Sequence, residues 1–107
     1  MSNIETVKKL LIINLPLFNA LGDVTRQQLL TLMMGNHPLS VKELAVAMKM
    51  SRPTISHHLL VLREAKVVAE HKEGRRTYYK PQLGEYYHTV KELIDLIDTL
   101  TKTEECN

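Results

Sequence analysis

Ser40-Val41-Lys42-Glu43-Leu44-Ala45 and, after Met48-Lys49-Met50, Ser51-Arg52-Pro53-Thr54-Ile55-Ser56-His57-His58-Leu59 read as two helix openings a short turn apart. Ser40 with Glu43 forms an S-x-x-E capping box, in which each side chain satisfies a backbone N–H that the first turn leaves without an intrahelical partner. Val41, Leu44, Ala45 and Met48 then make an inner stripe, and the helix ends near Lys49. Ser51 caps a second helix from Arg52 to about Ala65, with Pro53 in the first turn, where a missing N–H costs nothing. Two such helices joined by a turn of about three residues must cross steeply, the helix-turn-helix arrangement. Ile55, Leu59 and Leu62 share the inner face of the second helix. The opposite arc carries Pro53 and His57, flanked by Thr54 and Ser56. Small polar groups at the N-terminal end of a helix suit entry into a DNA major groove.

Downstream, Val67 to Lys72 and Arg75 to Lys80 are rich in strand formers and flank Glu73-Gly74, which predicts a β-hairpin with a basic tip. Arginine at such a tip suits phosphate or minor-groove contact. Pro81 closes the second strand. A last helix from about Leu83 to Leu100 carries Tyr86, Val90, Leu93, Ile97 and Leu100 spaced by four, three, four and three, a seam too apolar to be left in water. Upstream, Ile4, Val7, Leu10, Leu11 and Ile13 predict a helix over 4–13, which Pro16 interrupts or restarts as a short piece over 17–21. Asp23 caps a helix running to about Met34, with Leu29, Leu30, Leu32, Met33 and Met34 as its buried face and Gly35-Asn36-His37-Pro38 as its stop.

The chain has 107 residues, enough for one domain with a modest core, so part of its apolar surface is expected between subunits. Net charge is +2, but unevenly placed. Residues 51–80 hold seven Lys/Arg against three Glu, a net of +4, and residues 81–107 hold two Lys against six Asp/Glu, a net of −4. A basic segment beside an acidic one suggests that one region meets a polyanion. The N-terminus lacks the features of a signal peptide, and the stretch Leu10 to Leu17 is broken by Asn14 and Pro16 well short of a membrane span. A cytoplasmic protein without membrane partners is the expectation. The single Cys106 excludes an internal disulfide and is expected to be inert, having no visible partner to lower its pKa.

Phe18-Asn19-Ala20-Leu21-Gly22-Asp23-Val24-Thr25-Arg26 resembles the opening "F-x-A-L-G-D-P-T-R" of the ArsR/SmtB winged-helix family, with Val24 in place of proline. Val41 to Ala45 followed by Ser51 to Leu59 is similar to that family's helix-turn-helix. Leu62-Arg63-Glu64-Ala65-Lys66-Val67-Val68 resembles its "L-R-E-A-G-L-V" entry to the wing, with Lys66 where glycine is common. Together these motifs cover Phe18 to Pro81, and they look most like the branch of small autorepressors. The resemblance implies a mainly α fold with a small β-hairpin, a dimeric winged helix-turn-helix over 1–107. It also implies a sequence-specific regulator of double-stranded DNA, most simply a repressor that binds an inverted repeat as a homodimer. A winged helix serving as a protein-interaction or RNA-binding module is the alternative.

The family's thiolate motif "C-V-C" falls on Ser40-Val41-Lys42, and neither Ser nor Lys replaces a thiolate. Its second site, "D-x-H" with a later His, falls on Tyr86-Tyr87-His88 and Thr99, leaving His88 alone. No metal and no cofactor are expected, and His71, His88 or Cys106 would matter only in some other arrangement. His57 and His58, adjacent on a helix, point about 100° apart and suit DNA contact or packing better than one shared ion. No phosphate loop, H-E-x-x-H or nucleophile–base pair is present, and Asp23 with Arg26 reads as a helix cap, so no enzyme is expected. The DNA-contact set is Arg52, Pro53, Thr54, Ser56, His57, His58, Lys72, Arg75 and Arg76. The dimer set is Val7, Leu10, Leu11, Tyr86, Val90, Leu93, Ile94, Ile97 and Leu100.

Overall fold

A computed structural model of the chain describes residues 3–35 and 38–102. In chain order the elements are α1 (Asn3–Leu21), α2 (Val24–Met34), β1 (Leu39–Ser40), α3 (Val41–Met48), α4 (Arg52–Glu64), β2 (Val68–Glu73), β3 (Arg76–Pro81) and α5 (Gly84–Lys102). The described residues fall into two compact units, one made of those up to Pro16 with those from Gly84 on, the other of Leu17–Leu83. Cys106 lies outside the described residues, as do Asn36 and His37 of the expected stop after α2.

In the Leu17–Leu83 unit, α2, α3 and α4 close on a core whose fully buried side chains are Leu29, Leu44, Ile55, Leu62 and Val67, with Met33, Leu59 and Val68 nearly so. Each such aliphatic side chain contributes about 1.5–3 kcal/mol relative to exposure. Both caps of the helix-turn-helix that the sequence predicts are present. The Ser40 N–H donates to Glu43 Oε1 at 2.8 Å and the Glu43 N–H to Ser40 Oγ at 3.2 Å. The Ser51 hydroxyl accepts from the Thr54 N–H at 3.3 Å. Between the two helices, Lys49 takes a left-handed conformation (φ 57°), with its N–H on the Val46 carbonyl and that of Met50 on the Ala45 carbonyl. This closure stops α3 and lets α4 begin within three residues.

The structure departs from the sequence expectation at several points. Pro16 does not interrupt the first helix, and α1 is continuous through it. The carbonyl that loses its partner is that of Ile12, and Ile12 and Pro16 are both exposed, so the loss falls on the solvent side. Met34, expected in the buried face of α2, is 63% exposed because it lies beyond the stripe set by Leu29, Leu30 and Met33. The sheet has three strands in the order β1-β3-β2, not two. Leu39 and Ser40 pair with Tyr79 and Tyr78, so Ser40 is both a strand end and the α3 cap. The hairpin turn falls one residue later than expected. Glu73 pairs with Arg76, which leaves Gly74 and Arg75 as the loop, and Gly74 supplies the positive φ (64°) that a two-residue hairpin requires.

In the other unit Asn14 is completely buried. Its Nδ2 donates to the Leu10 carbonyl at 2.8 Å and to the Thr89 carbonyl at 3.1 Å, while the Thr89 hydroxyl donates to Asn14 Oδ1 at 2.8 Å. Both of its donors and its acceptor are used, which is the condition for burying an amide without a large penalty. The bonds fix the register of α1 against α5.

Candidate nucleic-acid interface

α4 has a buried face and an exposed one. Ile55, Leu59 and Leu62 point inward, while Arg52, Pro53, Thr54, Ser56 and His57 are exposed at its N-terminal end. Not all of the exposed hydroxyls are uncommitted. The Ser51 hydroxyl donates to Thr54 Oγ1 at 2.9 Å, which ties Thr54 into the cap. Ser56 and His57 carry the outward chemistry, a small donor–acceptor beside an imidazole.

His58 is placed differently from its neighbour. It is half-buried, with its ring 5.9 Å from that of His57 and its Nδ1 3.3 Å from Arg26 Nη1. A guanidinium only donates, so Nδ1 is the acceptor and in the neutral ring the proton sits on Nε2. Arg26 also donates from Nε to the Ala20 carbonyl at 2.8 Å and from Nη2 to the Asn19 carbonyl at 3.2 Å. The sequence assigned Asp23 and Arg26 to a cap. Asp23 does cap α2, accepting from the Arg26 N–H at 3.0 Å, and that bond above all holds its carboxyl below the usual carboxylate value. The Arg26 side chain does something else. It ties the last turn of α1 to α4, and no local pattern announces a partner 32 residues away.

The hairpin of β2 and β3 is the wing. Arg75 and Arg76 are exposed at its tip, and Lys72 is exposed on β2 opposite Thr77. Arg52 from the start of α4 lines one open cleft of about 310 Å³ with Arg75 and Arg76. The wing is also fastened to α4 at its other end. Arg63 Nη1 donates to Glu70 Oε2 at 2.9 Å, and the Tyr79 hydroxyl donates to the same oxygen at 3.3 Å. Burial, then the Glu70 charge, push the Tyr79 phenol pKa up, which keeps it a donor. The sequence shows Arg63 and Glu70 only as charges.

The apolar residues of α1 and α5 divide in two. Leu10 and Leu93 are buried, Val7, Tyr86, Val90 and Leu100 are half-buried, and Leu11, Ile94 and Ile97 remain 44%, 59% and 39% exposed. Ile12 and Leu15, which the helical pattern does not single out, are exposed as well. Among the described residues no three His, Cys, Asp or Glu side chains are grouped to hold a metal ion. The Ser40 hydroxyl is engaged in the cap, and the His88 ring lies 5.1 Å from that of Tyr87. Among the described residues no helix is long and apolar enough to cross a membrane.

Residues 23–70 match the model of the bacterial regulatory protein family arsR. The chain is 38% identical over 86 residues to an uncharacterized HTH-type transcriptional regulator of Methanocaldococcus jannaschii, covering 78% of this chain and 90% of that protein. The chain belongs to the arsR family. It is a DNA-binding transcriptional regulator with a winged helix-turn-helix fold. The transcriptional repressor SdpR of Bacillus subtilis is 37% identical over 62 residues, covering 58% of this chain and 68% of SdpR. Among solved structures, the homodimeric winged helix-turn-helix DNA-binding domain of a possible ArsR-family regulator from Mycobacterium bovis superposes with a TM-score of 0.66 at 25% identity. It covers 94% of this chain and 87% of that one. In this arsR-family chain the motif residues have visible work. Asp23 caps, Arg26 clasps α1 to α4, and Ser51 starts the helix that presents Ser56 and His57.

Proposed function

We propose that this arsR-family chain is a cytoplasmic transcriptional repressor that binds an inverted-repeat operator as a homodimer, its whole length 1–107 acting as one domain. The observation that carries the reading is the division of α4 into a fully buried face and an exposed polar N-terminal end, beside a wing whose tip is basic. Ser56 and His57 read base edges in the major groove, with Pro53 and Thr54 shaping the helix entry. Arg52, Lys72, Arg75 and Arg76 meet backbone phosphates or the minor groove. His58 acts from behind, through its contact with Arg26.

The dimer reading rests on the apolar side chains that α1 and α5 leave exposed, Leu11, Ile94 and Ile97 above all, with Val7, Tyr86, Val90 and Leu100 half-covered. Leu10 and Leu93, already buried, support that surface from inside the subunit. The Mycobacterium bovis neighbour is described as homodimeric, and SdpR as a repressor, which agrees with both parts of the proposal. A twofold dimer places its recognition helices on half-sites whose centres lie about 10 bp apart, or a multiple of that. Regulation does not run through the family's metal sites, because Ser40, Lys42, Tyr86 and Thr99 do not supply their ligands. Catalysis has no part in the reading.

A gel-shift titration with the DNA upstream of the chain's own coding sequence tests it. A complex that survives excess unrelated duplex, and that Ser56→Ala or His57→Ala weakens selectively, supports the proposal. Equal affinity for every duplex, or none, contradicts it.

A further inference from the structure

We infer that Lys42, together with Arg52, Arg75 and Arg76, forms a cleft that seats a backbone phosphate of the bound DNA, which makes Lys42 an affinity-setting residue outside the contact set read from sequence. The inference rests on the reading that this face meets DNA. Four cations line the cleft of about 310 Å³, with the hydroxyls of Ser40 and Thr77 beside them. They come from separate elements, Lys42 from the first turn of α3, Arg52 from the first residue of α4, and Arg75 and Arg76 from the wing. A second hollow of about 410 Å³ is also lined by Lys42 and Arg76, so these two cations border both.

No carboxylate lines the first cleft. Glu43, which borders the second, has Oε1 engaged by the Ser40 N–H in the capping box. None of the four cations is ion-paired with a described carboxylate, whereas Arg63, Lys8, Lys91 and Lys102 are. Four like charges without an acid among them repel one another until an anion enters. Two of the elements carry guanidinium groups, whose planar forks suit phosphate oxygens, and Lys42 adds a point charge.

The source of the phosphate is the DNA backbone. The cleft is open and exposed, and Arg52 stands next to Pro53 on the same end of α4 that presents Ser56 and His57. A strand whose bases meet α4 therefore has its phosphates beside this cleft. A phosphate contact carries no sequence information. Lys42 accordingly sets affinity for all duplexes alike and leaves base preference to Ser56 and His57.

Fluorescence anisotropy of the full chain, as wild type, Lys42→Met and Lys42→Arg, on an operator duplex and an unrelated duplex over about 50–200 mM salt, tests this. Lys42→Met should weaken both duplexes by about fivefold for each phosphate no longer neutralised near 0.15 M salt and flatten the slope by about 0.9 per such phosphate, or about 1.8 for a twofold pair. Lys42→Arg should restore binding. A cation in the first turn of a helix opposes the macrodipole, so Lys42→Met should melt at or above the wild-type temperature, which separates impaired binding from impaired folding. Wild-type affinity and slope in Lys42→Met, with a salt-dependent wild type, overturn the cleft and leave the DNA reading standing. Failure of the wild type to bind any duplex overturns both. Inorganic phosphate that binds the wild type in an NMR titration but not Lys42→Met, with DNA binding indifferent to the substitution, assigns the cleft to a free anion and overturns the DNA source.

Discussion

Lys66→Gly should stabilise this protein. Lys66 follows α4 and has φ 62°, the left-handed region that side-chain-bearing residues avoid. Two bonds hold it there, the Lys66 N–H to the Arg63 carbonyl at 2.9 Å and the Val67 N–H to the Leu62 carbonyl at 2.8 Å. Leu62 and Val67 are both fully buried, so the hydrophobic contact that accompanies such a helix end is in place. An L-residue in this region costs about 1–2 kcal/mol, and glycine's greater freedom in the unfolded chain gives back about 0.4–1 kcal/mol of that. The net gain is about 0.5–1 kcal/mol, since the exposed Lys66 side chain forfeits no packing. For a domain of this size that raises Tm by about 2–8 °C. Urea and thermal unfolding at one fixed protein concentration read it, with Lys66→Asn expected between wild type and Lys66→Gly, and Lys66→Val below wild type. A Tm unchanged or lowered by Lys66→Gly, or insensitive to Lys66→Val, refutes the geometry assigned to the junction between α4 and the wing.

Asn14→Ala should lower stability by about 2–4 kcal/mol, because it removes three bonds of a completely buried amide and leaves the half-buried Thr89 hydroxyl without that acceptor. Chemical unfolding checks it, and a change under about 0.5 kcal/mol counts against the buried network. Asp23→Asn should leave the neutral-pH midpoint nearly unchanged, since Asn caps as well as Asp. The depressed pKa of Asp23 gives stability that is present above the usual value of 3.8 and lost as pH falls below it through the folded-state value, so the variant should show a shallower acid limb in urea midpoints taken across that range. Replacing Arg75 and Arg76 together should weaken operator and unrelated duplexes alike and flatten the salt slope by about 0.9 for each phosphate no longer neutralised, as measured by anisotropy. Ser56→Ala and His57→Ala should instead reorder the preferred sites, by about 1–3 kcal/mol for each base edge that goes unread.

The helix-turn-helix is legible in the sequence because its signals are local. Ser40, Glu43 and Ser51 act on backbone groups within their own first turns, and Ile55, Leu59 and Leu62 repeat at a helical period, so the residues needed to read them lie within one window. What cannot be read depends on elements meeting from afar. The clasp of Arg26 on His58, the sharing of Glu70 by Arg63 and Tyr79, and the convergence of Lys42 with the wing arginines carry no pattern along the chain. Two misplacements come from rules applied without context. Pro16 reads as a break because the sequence does not show on which side it loses its bond, and the β1 pairing escapes because two residues are too short for a strand pattern. Lys66 stands out along the chain as a substitution for glycine, but only its φ explains what that glycine would do.

In the proposed complex two copies of this chain read one twofold-symmetric duplex through α4. Selection of the protein on random double-stranded DNA, followed by sedimentation of the enriched complex, tests this. An enriched inverted repeat with half-site centres about 10 bp apart or a multiple of it, two chains per duplex, and loss of the enriched sequence in His57→Ala are expected. No enriched sequence, or an asymmetric site bound by one chain, contradicts it.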